Sequence, residues 1–164
     1  PLDRVSSTLT IRDLHEEIES RGHHHEARVH LQRAERAPAA LAAQLGVAVG
    51  AEVFHTHLVH LENGRPLQSE DRYVNPAAAP RYLEQDFSRT TPTRYLFAAS
   101  TLWRAQYAIE SARPTAVEAK LLGIEVGEPC LVVTRRTYAR DAAITIARLV
   151  HPGALYTLQA DFTP

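Results

Sequence analysis

Apolar positions along the chain change period several times, and each change marks an element. Ile11, Leu14 and Ile18 recur at helical spacing behind Thr10-Ile11-Arg12-Asp13, a hydroxyl N-cap with its acidic partner three residues on; a helix over residues 10–21, ended by Arg21-Gly22, is predicted. From His24 the pattern alternates, with Ala27, Val29 and Leu31 against Glu26, Arg28, His30 and Gln32, which predicts a strand to about Arg36. Pro38 opens a second helix through Leu41 and Leu45, and Gly46 stops it. Two β-rich runs, 53–61 and 68–74, flank Glu62-Asn63-Gly64-Arg65, and Asn-Gly between such runs is a strong hairpin signal. Pro80 and Pro92 stand at first positions of two short helices. A strand over 101–111, a helix over 115–122, a second hairpin pivoting near Arg140-Asp141 and a last strand over 156–162 complete the plan.

The two halves repeat. Arg28-Val29-His30-Leu31 through Arg36-Ala37-Pro38 matches Arg104-Ala105-Gln106-Tyr107 through Ala112-Arg113-Pro114, and Leu45-Gly46-Val47 matches Leu122-Gly123-Ile124. Arg72-Tyr73-Val74-Asn75-Pro76 likewise matches Arg148-Leu149-Val150-His151-Pro152. Two strand-helix-hairpin units give an α+β fold: a six-stranded, mostly antiparallel sheet with short helices, expected on one face. The repeat breaks at Gln68-Ser69-Glu70-Asp71-Arg72, against Thr145-Ile146-Ala147-Arg148, and only the first copy is followed by two extra helices. That asymmetry marks the side expected to bind a ligand.

Composition narrows the classes. The chain has 164 residues, enough for one domain with a core of its own. With 18 Lys+Arg against 19 Asp+Glu it lacks the basic excess of a nucleic-acid binder. Cys130 has no partner for an internal disulfide, and no apolar run approaches a membrane span or a signal h-region, so a cytoplasmic protein is expected. The chain begins at Pro1 and contains no methionine, which points to a segment upstream.

No catalytic motif stands out. There is no GxSxG elbow or phosphate-cradling glycine loop, and Cys130 lies in an apolar run as a core thiol. His23-His24-His25-Glu26 offers two ligands per strand face where zinc needs three or four, so no metal is assigned; His55 and His57 read as half-exposed sheet residues. What remains is a pocket. The starts of the helices near Arg12-Asp13 and at Thr91-Pro92 favour an anion, and Arg72, Arg148, Glu70 and Tyr73 offer directional contacts to a small polar ligand. On the hairpin arm Glu70 and Arg72 share one face while Asp71 and Tyr73 share the other. The competing reading is structural, with Glu70 paired to Arg72 or Arg148 and Tyr73 at the edge of the core.

Glu70-Asp71-Arg72-Tyr73-Val74-Asn75-Pro76, Ala79-Pro80-Arg81-Tyr82-Leu83-Glu84-Gln85-Asp86-Phe87, Thr90-Thr91-Pro92, Gly127-Glu128-Pro129-Cys130-Leu131 and Ala147-Arg148-Leu149-Val150-His151-Pro152-Gly153 resemble the effector-binding (UTRA) domain of the histidine-utilisation repressors, the HutC subgroup of the GntR superfamily. The resemblance covers nearly the whole chain. It implies a chorismate-lyase-like domain over 10–164, a linker over 1–9, a preceding winged helix-turn-helix that alone touches operator DNA, a homodimer, and urocanate as the effector. Carried over from relatives that bind sugar phosphates, the helix start falls near Arg12 to Leu14, two arginine positions fall on Leu58 and His60, a serine position falls on Thr91, and an acidic position is met by Glu70. The loss of both arginines suits a monocarboxylate better than a phosphate. The expected contacts are Arg12 or Arg148 to the carboxylate, Glu70 to the ring, and Tyr73 or Tyr95 to its flat face, with His60 and Thr91 beside them. The helix over 10–21 is expected to order when the anion docks. No cofactor is implied. A chorismate-lyase-like enzyme acting on a small aromatic carboxylate, and a pure dimerisation domain, are the rival classes.

Overall fold

The computed structural model describes residues 4–8, 11–102, 104–140 and 142–164. Thr10 and Asp141, to which the sequence assigned a helix cap and a hairpin pivot, lie outside them. The elements in chain order are β1 (Val5–Thr8), α1 (Leu14–Ser20), β2 (His25–Arg36), α2 (Ala39–Leu45), β3 (Glu52–Glu62), β4 (Arg65–Val74), a 3-10 turn (Tyr82–Glu84), α3 (Pro92–Ala99), β5 (Arg104–Ala112), α4 (Ala116–Leu122), β6 (Cys130–Tyr138), β7 (Ala143–Pro152) and β8 (Tyr156–Gln159). The six long strands pair in the order β2-β3-β4-β7-β6-β5, every pair antiparallel. That order is the duplication made visible. Each strand-helix-hairpin unit supplies three strands, and the units meet at β4 against β7.

Local chemistry sets the boundaries. Asn63 and Gly64 both take positive φ, 49° and 79°, as a tight hairpin between β3 and β4 demands. Gly46 and Gly123 end α2 and α4 in the same left-handed conformation, so the repeat extends to the helix caps. Pro92 opens α3 behind Thr91, whose hydroxyl accepts the Arg94 N–H. The cap of α1 is Asp13, which accepts the His15 N–H at 3.3 Å, and the helix begins at Leu14. Asp13 is a good capping residue, and its carboxylate meets the first-turn N–H.

The helices cover both faces of the sheet, not one. Leu41 and Leu45 of α2 pack with Val53, Ile146 and Tyr73, and Leu122 of α4 packs with Val59, Val132 and Val150. Tyr82, Phe87 and Leu96 close over Phe54, Leu58 and Val74 on the opposite side, because strand side chains alternate. Burying both faces removes the in-out pattern from β3, where Val53 through Glu62 are all buried. His55 and His57 are accordingly only 8% and 7% exposed, not half-exposed as their spacing suggested. In β2 a register shift between Val29 and Leu31 breaks the alternation, so Ala27 and Leu31 do not share a face. β8 leaves the main sheet and pairs with β1 in parallel, residue for residue over Val5–Thr8. None of the helices among the described residues is long and apolar enough to cross a membrane.

Candidate functional site

The face of the sheet under α1 and α3 carries buried polar groups where hydrocarbon would ordinarily lie. Glu70 and Arg72 of β4 are 4% and 1% exposed, and Arg72 Nε donates to Glu70 Oε2 at 3.0 Å. Burial alone would raise the Glu70 pKa, but the Arg72 charge and the His60 hydrogen bond outweigh it, and the carboxyl is held well below its usual range. The rest of the Arg72 guanidinium donates to Thr145 Oγ1 at 3.2 Å and Thr93 Oγ1 at 3.3 Å. Arg135 reaches the same Thr93 hydroxyl at 2.9 Å, tying the pair to α3.

From Glu70 a file of imidazoles runs outward. His60 Nε2 meets Glu70 Oε1 at 3.2 Å, His60 Nδ1 meets His25 Nε2 at 2.9 Å, and His25 Nδ1 meets His15 Nδ1 at 3.1 Å. Burial, then the neighbouring His60, His15 and His24, lowers the His25 pKa to about 3, so His25 is neutral at physiological pH. His15 and His25 open into a small cleft between the start of α1 and the start of α3, also lined by Asp13, Phe87, Arg89, Thr91 and Arg94. Thr91 Oγ1 donates to Asp13 Oδ1 at 2.8 Å, and Asp13 Oδ2 is buried with no hydrogen-bond partner among the described residues. The mouth is basic: Arg89 and Arg94 are exposed and form no ion pair with another described residue.

The sequence-predicted residues divide between the two faces. His60, Glu70 and Thr91 belong to the cleft or to the file behind it. Arg12 is exposed one residue ahead of Asp13, and Tyr95 is half-buried on α3, 6.1 Å from the Tyr82 ring. Tyr73 and Arg148 are not brought to this cluster, since alternation turns them to the face under α2 and α4. There Tyr73 stacks on His55 at 4.0 Å, and its phenol is pushed up to about 12 by burial and by the nearby Asp71 and Glu35 charges. Arg148 is held by Glu118 through two bonds of 2.7 and 3.3 Å. Sequence reasoning had kept the structural reading of Glu70 with Arg72 open, and that pair forms. It missed Asp13, His15 and His25 as one cluster. The signal was the i, i+2 spacing of Asp13 and His15 across a helix cap, which a search for metal-ligand spacing passes over. His23, grouped with His25 by adjacency, instead meets Glu62 at 2.7 Å.

The family model of the UTRA domain matches residues 20–157. The chain belongs to the UTRA domain family. This UTRA domain is 42% identical over 158 residues to the histidine utilization repressor of Pseudomonas putida, covering 96% of the chain and 64% of that relative. It thus spans about two thirds of the relative's length. The solved C-terminal domain of the histidine utilization repressor from Pseudomonas syringae superposes with a TM-score of 0.83 at 41% identity, over 86% of this chain and 100% of that one. PhnF from Mycobacterium smegmatis, at 24% identity and a TM-score of 0.88 over 98% of this chain and 72% of that one, shares the fold. The chorismate-lyase-like architecture expected from the resemblance is therefore the fold of this domain, and the two Pseudomonas relatives are named as repressors.

Proposed function

We propose that this UTRA domain is the effector-sensing part of a repressor of histidine utilisation, and that its effector is a small planar imidazole acid, urocanate or a close analogue. The observation that carries the reading is the cleft at Asp13 and Thr91, backed by three histidines that end on a buried, paired carboxylate. That surface suits a heteroaromatic ring, and Leu58 and His60 stand where sugar-phosphate-binding relatives carry paired arginines. The ligand carboxylate is assigned to the basic mouth formed by Arg89 and Arg94, with Arg12 close by in the chain. Ligand binding acts on DNA through a homodimer with winged helix-turn-helix heads; the 1–9 linker expected from the resemblance does not fit β1, because Val5–Thr8 pair with β8 and belong to the domain. No bond is made or broken.

Calorimetry of the chain with urocanate, histidine and glucosamine 6-phosphate tests the reading. Urocanate is expected to give saturable heat at a stoichiometry of one and the sugar phosphate none. Tight binding of the sugar phosphate with no response to urocanate would reject it. The enzyme reading predicts consumption of an aromatic carboxylate, which absorbance of the incubated ligand would reveal.

A further inference from the structure

The file of imidazoles has a direction, set from its buried end. An ionised carboxylate only accepts hydrogen bonds, so His60 Nε2, 3.2 Å from Glu70 Oε1, must carry a proton. Glu70 is already paired with Arg72 at 3.0 Å and Arg135 brings a further buried cation to the same Thr93, so an imidazolium at His60, 1% exposed, would put a third cation in a buried cluster with one carboxylate. A neutral His60 then presents its Nδ1 as an acceptor. His25 Nε2, 2.9 Å away, must donate to it, which leaves His25 Nδ1 bare. The remaining contact, Nδ1 to Nδ1 at 3.1 Å, forms only if His15 Nδ1 carries the proton. In the neutral His15 the outer nitrogen then keeps its lone pair. The lowered pKa of His25, caused by its burial and by His60, His15 and His24, agrees with a neutral imidazole at that link.

We propose that Glu70 fixes the polarity of the whole file, so that His15 Nε2 faces the cleft as an acceptor and the pocket selects a ligand ring that donates an N–H. A second, independent observation points the same way. Asp13 lines the same cleft and is 4% exposed as a residue; its Oδ2 lacks any donor among the described residues, and a buried carboxylate oxygen left without one is costly. The inner end of the cleft thus offers two acceptors. It repels an anion at the start of α1, where the sequence had placed one, and leaves the anionic end of the ligand to Arg89 and Arg94 at the mouth. The inference rests on the effector reading above and sharpens it. The ligand class is an aromatic acid whose ring carries an N–H, and His15 and Asp13 decide specificity while Glu70, out of reach of the ligand, is a positioning residue.

Long-range proton–nitrogen NMR on the chain labelled with nitrogen-15 histidine reads the tautomers without any ligand. His60 and His25 are expected as Nε2–H and His15 as Nδ1–H, the minor form of a free histidine; His15 as Nε2–H, or a doubly protonated His60 near neutral pH, would overturn the proposal. Glu70→Gln, whose amide both donates and accepts, is expected to mix the His15 tautomers and weaken urocanate at least tenfold; an unchanged His15 signal in the folded variant would overturn it. Calorimetry with 3-(2-furyl)acrylate, which keeps the shape and charge of urocanate but has no ring N–H, is expected to show binding weaker by on the order of 100-fold. Equal affinities would overturn it as well. If urocanate does not bind, the effector reading fails by itself, and imidazole alone becomes the probe. A shift of the His15 Nε2 resonance with imidazole and none with furan then upholds the present inference, and no shift with either rejects it.

Discussion

At the scale of single residues the decisive group is the buried Glu70–Arg72 pair. Truncating one member of such a pair leaves the other charged and unpaired, so Arg72→Ala is expected to cost about 3–5 kcal/mol in urea unfolding. The double variant Glu70→Leu/Arg72→Met, which removes both charges, is expected to cost clearly less, and a double variant worse than Arg72→Ala would show that the pair stabilises the fold outright. His151 sets a different dependence. It is 1% exposed, stacks on Tyr156 at 3.8 Å, and lies between Leu131 O at 3.0 Å and the Gln68 amide at 2.9 Å, contacts a neutral imidazole satisfies by donating from Nδ1 and accepting at Nε2. Burial lowers its pKa to about 4, against the opposing pull of the Leu131 carbonyl. The folded form therefore takes up a proton later than the unfolded chain, whose histidines titrate near 6.5, so the stabilisation is full above that pH and is lost as pH falls toward 4. His25 acts with the same sign, whereas His55, raised by Asp71 and Glu35 against the effect of burial, contributes below pH 6.5 and loses that contribution as pH rises. Urea midpoints are expected to drop between pH 6.5 and 4.5, with each depressed histidine contributing up to about 1.4 kcal/mol per pH unit. His151→Asn, which cannot titrate there, is expected to flatten the slope by about one proton.

At the scale of elements, α4 is held by a capping box in which the Thr115 hydroxyl accepts the Glu118 N–H and the Glu118 carboxylate accepts the Thr115 N–H. Thr115→Ala is expected to lower stability by about 1 kcal/mol. Glu118→Ala is expected to cost more, because the same carboxylate clasps Arg148 of β7 and joins the helix to the sheet. A thermal melt in which the two variants match would show that the Arg148 contact adds nothing. The elements themselves were largely legible in the chain. Asn63-Gly64, Pro92 behind Thr91, and the terminating Gly46 and Gly123 each carry a local backbone demand that needs no tertiary information. Long-range effects were not legible. The faces of β3 could not be told apart because both are buried, the bulge in β2 moved Leu31 to the other side, and the Asp13 cap of α1 is tied to Thr91 of a distant helix. The candidate site suffered most from this. Glu70, His60 and Thr91 were reachable from the broken repeat and the resemblance; Tyr73 and Arg148 were grouped with them as polar contacts although alternation already set Tyr73 on the face opposite Glu70, and it took the register, Asp71 against Arg148, to put Arg148 on that opposite face.

At the scale of the whole molecule, the two repeats form a symmetric scaffold and the segment between them breaks the symmetry. Residues 75–103 follow the first hairpin and carry the 3-10 turn and α3 over the face that holds Glu70 and Arg72, so the cleft exists on one side of one repeat. Its walls differ in how they are attached. α3 is anchored through Thr93 to two buried arginines, whereas α1, seven residues long, follows β1, whose only strand partner among the described residues is β8. A ligand seated between Asp13 and Thr91 adds contacts that join these walls, and it shifts a conformational equilibrium only as far as it prefers one arrangement of them. α1 is the wall on the N-terminal side, so ordering is expected there. Hydrogen exchange followed with and without urocanate should show slower exchange across Leu14–Ser20 and the first turn of Pro92–Ala99, with Ala39–Leu45 on the far face unchanged. At a ligand concentration a hundred times Kd, linkage allows up to about 2.7 kcal/mol of added protection, a slowing on the order of 100-fold where opening exposes the site. Slowing spread evenly over α1, α2 and α3 would mean that the ligand stabilises the fold as one unit, and protection confined to α3 would leave α1 no part in passing the signal toward the N-terminal side.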